Sequence, residues 1–150
     1  MQKISDQRKE FLADDYCQGF IAYCGFQPED IAWGHFTSSL AIRDIHRQQD
    51  GFIHAGVLAT MADHTAGYAG FTVAPEGYQI LTIEFKVNFL RPAYGQKIIC
   101  ESRVLRPGKT VIVAESNLFD YRDDQRAHTA KATITLMAVP REKLRKEERP

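Results

Sequence analysis

The chain has 150 residues, 44% of them hydrophobic and 25% charged, with 19 basic against 19 acidic side chains and a formal net charge of zero. That balance fits one globular domain with a sizeable core, and it provides no global field to draw in nucleic acid or an anionic membrane, so neither is expected as a partner. Cys17, Cys24 and Cys100 form no C-x-x-C pair, the start Met1–Glu10 has no signal-type apolar stretch, and no run approaches the ~20 apolar residues that span a bilayer; reduced thiols in a cytoplasmic protein are the expectation.

Residues 3–24 read as a helix, with Ile4, Phe11, Leu12, Tyr16, Cys17, Phe20, Ile21 and Cys24 recurring at spacings near three and four, and with Gly25 and Pro28 punctuating its end. A first strand is predicted over 34–45, followed by a polar loop at Gln48–Gly51. Residues 55–69 read as a second helix, closed by Gly70 and a turn at Pro75–Gly77. The period then changes. Leu81, Ile83, Phe85, Val87 and Phe89 alternate with Thr82, Glu84, Lys86 and Asn88, the clearest strand signal in the chain. Arg91-Pro92 ends it. Strands over 96–106 and 109–121 follow, joined through Pro107-Gly108 as a hairpin, and a last strand over 126–139 follows the turn at Asp123-Asp124. The pattern predicts an α+β domain over 1–140 built on an antiparallel sheet, with a charged, frayed tail over 141–150.

The second helix carries the chemical signal. Its stretch from His54 to Gly70 is apolar or small nearly all the way round, which predicts burial on most sides, yet Asp63 sits in its middle. A carboxylate among apolar neighbours is a candidate general base or nucleophile; a partner-satisfied structural aspartate fits the same pattern. At the helix start the first N–H groups lack helical partners and carry the positive end of the dipole, and Ala55 and Gly56 are small enough to admit a carbonyl, as in an oxyanion hole. Ala55 and Asp63 are eight residues apart, about 12 Å along the axis at about 1.5 Å per residue, too far for both to serve one reacting carbonyl. Two antiparallel copies side by side would bring the start of one helix beside the middle of the other, twice per two-fold dimer.

With these residues in view, the chain resembles the hot-dog fold acyl-CoA thioesterases of the phenylacetate-degradation type. The likeness rests on Ile53-His54-Ala55-Gly56-Val57-Leu58-Ala59-Thr60-Met61-Ala62-Asp63, on the strand running into Phe89-Leu90-Arg91-Pro92-Ala93, and on Leu105–Val111 with Gly108-Lys109-Thr110; it covers about residues 33–138. The resemblance implies a long central helix wrapped by an antiparallel β-sheet, in homodimers that pair into homotetramers. It implies hydrolysis of an aromatic or medium-chain acyl-CoA to free acid and CoA, with no cofactor beyond the CoA of the substrate. The catalytic acid of the family falls on Asp63 and its backbone oxyanion donor on Ala55, after His54 and before Gly56; a loop side chain, commonly Asn, falls on Gln48, and a strand hydroxyl on Thr82. The string after the histidine is usually Gly-Gly and here is Ala55-Gly56, a change that keeps the N–H.

Arg91, Arg106 and Lys109 are candidates for the CoA phosphates, against solvated surface charge. His46, His54 and His64 match no metal-ligand spacing, so no metal site is expected. Tyr68, Phe71 and Tyr78 suit either an aromatic acyl pocket or core packing. Two rivals share the sequence: a hot-dog enoyl-CoA hydratase or dehydratase using His54 with Asp63, and a non-catalytic acyl-CoA binding module.

Overall fold

The computed structural model describes residues 2–144. Its first helix, α1 (Asp6–Tyr16), starts where the Ser5 hydroxyl accepts the Arg8 N–H at 3.2 Å. The single helix expected over 3–24 is two. The chain breaks after Tyr16, and Gly19, at φ +56°, re-aims it into α2 (Phe20–Cys24), which ends at the left-handed Gly25. A strand absent from the sequence reading follows, β1 (Gln27–Ala32). Pro28, read as punctuation after the helix, lies within this strand, because β1 is an edge strand, where a missing N–H costs no ladder bond. β2 (His35–Ala41) stops short of the expected residue 45, and Asp44–His46 form a 3₁₀ turn instead.

The central helix α3 (Ala55–Val73) outlasts its expected end at residue 69. Gly70 does not stop it; a Cβ there would stand 2.9 Å from Leu136 Cδ1, so this glycine serves close packing of helix on sheet. The remaining strands are β3 (Tyr78–Phe89), β4 (Lys97–Pro107), β5 (Val111–Arg122) and β6 (Gln125–Pro140). All pairs are antiparallel and the order is β1-β2-β4-β5-β6-β3. β3 therefore occupies the far edge, and residues 90–96 carry the chain back across the sheet end to β4. α3 lies on the inner face and touches all six strands. Met61, Ala62, Ala66 and Ala69 of the helix are fully buried against Ile98, Leu118, Ile134 and Leu136 of the sheet. A long helix wrapped in this way by a six-stranded antiparallel sheet is the hot-dog fold.

One correction concerns β3. The alternation places Leu81 to Phe89 on a single face, but the register shifts between Thr82 and Glu84, making Ile83 a bulge. Thr82 opposes Leu136, and Phe85, Val87 and Phe89 oppose Ile134, Ala132 and Ala130, all on the helix side; Leu81 opposes Met137 on the outer side. Of the tail expected to fray over 141–150, Arg141–Leu144 form a short 3₁₀ turn and the rest lies outside the described residues. Among the described residues no helix is long and apolar enough to cross a membrane.

Candidate active site

Three segments meet at the start of α3. His46, buried in the 3₁₀ turn, accepts the His54 N–H through its carbonyl at 2.8 Å, and its ring bridges the Arg43 N–H and the Cys24 carbonyl. That fixes the approach of the chain to the helix. His54 is then the N-cap: its Nδ1 accepts the Gly56 N–H at 2.8 Å. Its carbonyl takes the N–H of Val57 at 3.0 Å and of Leu58 at 3.4 Å. Of the four N–H groups that a helix start leaves over, three are thereby engaged. The fourth, on Ala55, makes no hydrogen bond among the described residues, and Ala55 is exposed. Gly56 eases this cap, since a Cβ there would stand 3.0 Å from His54 Nδ1 and the ring would have to shift by a few tenths of an ångström.

Ala55 lines a cleft of about 340 Å³ together with Phe52, Ile53, Leu58, Phe89, Leu90, Arg91, Pro92 and Ala93. Such a volume and apolar lining suit part of a small organic ligand. The wall residues Phe89 to Ala93 are the ones that carried part of the resemblance. Phe52 went unnoticed in the sequence, although an aromatic just before the helix cap was a usable signal.

Asp63 lies two turns further along α3, half-buried, and its Oδ1 accepts the Thr82 hydroxyl at 2.7 Å. The bulge at Ile83 is what turns Thr82 onto the helix. The structure thus brings Asp63 and Thr82 together, and holds Ala55, Gly56 and His54 together, with about 12 Å of helix between the two groups. Gln48 joins neither. Its Oε1 accepts the Asp50 N–H within its own loop, while its Nε2 makes no hydrogen bond among the described residues.

The basic candidates separate as well. Arg91 lines the cleft and donates to the His128 carbonyl at 3.0 Å. Arg106 and Lys109 are exposed at the β4–β5 hairpin, beside Val111, whose neighbour on β6 is Met137. Arg91 follows Phe89, whose neighbour on β6 is Ala130. Seven residues of strand, about 23 Å, separate the two ends.

Tyr68 and Phe71 do not line a ligand pocket. They are buried between α1 and α3 with Tyr16, Phe36 and His64, ring centroids 4.5 to 5.6 Å apart, and the Tyr68 hydroxyl donates to Asp15 at 2.8 Å. Burial holds both tyrosine pKa values above their ordinary range. Burial also lowers that of His64, whose ring lies 3.0 Å from the Tyr16 carbonyl.

The arrangement defines an unpartnered helix-start N–H donor beside an apolar cleft, with a hydroxyl-held carboxylate elsewhere on the same helix, on a hot-dog scaffold. Residues 50–127, just over half of the chain and including both groups, match the thioesterase superfamily. A protein of Halobacterium salinarum carrying a provisional esterase name is 32% identical over 133 residues, covering 85% of this chain and 83% of that one. A solved thioesterase family protein from Silicibacter pomeroyi superposes with a TM-score of 0.86 at 34% identity, covering 89% of this chain and 98% of the other. The fold recurs in a Ralstonia eutropha protein described as a thioesterase related to phenylacetic acid degradation, with a TM-score of 0.73 at 22% identity over 87% of this chain and 98% of that one. The chain belongs to the thioesterase superfamily and is a hydrolase of that group.

Proposed function

We propose that the protein hydrolyses acyl-CoA thioesters at sites shared between two copies of the chain. The observation that carries this reading is the Ala55 N–H, without a partner among the described residues, on a residue that lines the cleft yet sits about 12 Å along the helix from the hydroxyl-held Asp63. A second, antiparallel α3 supplies the missing half of each site. Two exposed surfaces support such pairing. Gly56, Ala59, Thr60, Asp63 and Gly67 form the accessible stripe of α3, small enough for close approach of another helix. Beside it runs the edge strand β3, with Ile83, Phe85 and Phe89 between 44% and 54% exposed. Long apolar edges of this kind call for a covering partner.

In the proposed reaction, the thioester carbonyl rests on the Ala55 N–H at the positive end of α3. The Asp63 carboxylate of the second copy takes a proton from a water as that water attacks the carbonyl carbon. The oxyanion so formed is held by the Ala55 donor; it collapses, the C–S bond breaks, and the proton passes from Asp63 to the departing thiolate. Thr82 orients the carboxylate. Gln48, whose Nε2 makes no hydrogen bond among the described residues, would steady the water or the carbonyl if its loop turned toward the site. The cleft around Leu58, Phe89 and Leu90 suits an aromatic or medium-chain acyl group, the class that the phenylacetate-type resemblance implies. Arg91 lies within reach of the same cleft, whereas Arg106 and Lys109 would meet CoA phosphates from the second copy.

The test uses two inactive variants. Ala55→Pro deletes the donor at the first helical position, where proline is tolerated, and His54 already has the extended backbone (ψ 134°) that precedes proline. Asp63→Asn removes the base and can still accept from Thr82. Each alone should abolish thiol release from a panel of acyl-CoAs. Mixed and reassociated, random pairing makes half the dimers hybrid, each with one intact site, so about one quarter of wild-type activity should return. No recovery would refute the shared site. Turnover surviving in Asp63→Asn would refute the role of the carboxylate. A wild type that binds acyl-CoA but releases no thiol would make the protein a binding module.

A further inference from the structure

Residues 90–96 have no regular secondary structure, yet their backbone is held along almost its whole length. The Thr129 carbonyl accepts the N–H groups of Leu90 at 2.8 Å and Arg91 at 3.3 Å, and the Thr129 hydroxyl donates to the Arg91 carbonyl at 2.6 Å. Arg122 donates to the Pro92 carbonyl at 2.6 Å, and the fully buried Asp120 accepts the N–H groups of Tyr94 and Gly95 at 3.0 Å each. This segment is one wall of the cleft. The floor, at Ala55, belongs to a different stretch of chain, joined to the wall by the Ile53 N–H, which donates to the Ala93 carbonyl at 2.8 Å.

Arg47 closes that seam from the other side. It donates through Nη1 to the Gly51 carbonyl at 2.9 Å and the Tyr94 carbonyl at 3.4 Å, and through Nη2 to the Gly95 carbonyl at 3.1 Å. Among the described residues no carboxylate pairs with it, so its task is not charge neutralisation. A planar guanidinium fork spans three carbonyls of two segments; an ammonium group does not reproduce that geometry.

Resting on the thioesterase reading above, we propose that Arg47 is a positioning residue, fixing the 90–96 wall to the loop that delivers the helix start and so setting where an acyl group lies relative to the Ala55 donor. A misplaced wall costs rate out of proportion to affinity, because reacting groups must be held to within fractions of an ångström. Arg47 also stands next to Gln48, so the same fork steadies the loop that carries that side chain.

The test compares wild type with Arg47→Met, which keeps the stem, and Arg47→Lys, in the full chain. Two readouts are taken: hydrogen exchange of the Ile53 amide, and thiol release from acetyl-CoA and from bulkier aromatic and medium-chain acyl-CoAs. For Arg47→Met, faster Ile53 exchange is expected, with kcat on the best bulky substrate down about tenfold and the preference for bulky over acetyl substrate reduced several-fold; Arg47→Lys should fall between. A merely structural role would lower activity on every substrate alike and leave the preference intact, and that result overturns the proposal. So does unchanged Ile53 exchange in the folded variant, whatever the kinetics. If the wild type releases no thiol from any acyl-CoA, the thioesterase reading fails, while the Ile53 exchange still decides whether Arg47 holds the seam.

Discussion

Replacing Asp120 with alanine tests how firmly the cleft wall is built. Its side chain is fully buried and accepts from Tyr94 N–H, Gly95 N–H and Arg122 Nε, the last at 2.9 Å. Removing the carboxylate leaves the buried Gly95 N–H without a partner, at a cost of about 1–3 kcal/mol. Breaking a buried ion pair outright costs about 3–5 kcal/mol, but the Arg122 side chain is 28% exposed and keeps its bond to the Pro92 carbonyl, so the low end of that range applies. Both costs arise from removing the same carboxylate and overlap rather than add, so the expected loss is about 3 kcal/mol. For a chain of this length each kcal/mol moves Tm by about 2–4 °C, giving a fall of about 6–12 °C by thermal unfolding at fixed protein concentration. Asp124→Ala, in the exposed β5–β6 turn, is the control and should stay within about 0.5 kcal/mol of wild type. A fall under 3 °C for Asp120→Ala would show that the crossover is held by something other than this carboxylate.

Other perturbations follow from single contacts. Gly70→Ala sets about 1 kcal/mol of helix propensity against a Cβ 2.9 Å from Cδ1 of the fully buried Leu136, and overpacking at about 1–3 kcal/mol wins, so Tm should drop by a few degrees. Thr82→Val removes the 2.7 Å bond to Asp63; thiol release should fall about tenfold, with Thr82→Ser recovering most of it and Tm nearly unchanged in both. His64 is held neutral by burial, its pKa below the ordinary 6.5. The unfolded chain therefore binds the extra proton first as pH falls through 6.5, and stability should decline from there down to the folded-state pKa. Thermal unfolding between pH 8 and 5 should show this slope, and His64→Gln should flatten it.

The fold was legible wherever hydrophobic period and punctuation agreed. α3 and the strands β3 to β6 fall close to where alternation and turns place them. The departures come from tertiary context acting on one or two residues. Gly19 breaks a helix whose apolar spacing runs on unbroken. Pro28 suits an edge position that no local pattern reveals. Gly70 looks like a stop and is a packing contact. The site was legible by residue type but not by occupancy. The resemblance already assigned the donor to Ala55; the structure adds that His54 consumes the Gly56 donor and leaves the Ala55 N–H without a partner among the described residues. Arg47 and Asp120 had no signal, because the partners through which they hold the 90–96 wall are backbone groups some 25 to 48 positions away in the chain.

The bulge at Ile83 shows how a single inserted residue lets two sequence demands coexist. In β3 the chain needs Thr82 to face Asp63 and also needs Phe85, Val87 and Phe89 to face the helix side. Thr82 is at an even position and the apolar residues are at odd ones, so an unbroken strand would send one set outward, as any one-residue slip does. With Ile83 bulged, residues 80 and 82 point inward before it, and 85, 87 and 89 after it. The first group anchors the carboxylate; Phe89 and its successor Leu90 reach the cleft at the helix start. The bulge thus brings both halves of the proposed site to one face of the sheet, and they remain apart only along the helix axis. That remaining separation, about 12 Å, is one that a two-fold antiparallel neighbour removes and that no rearrangement within a single rigid helix does.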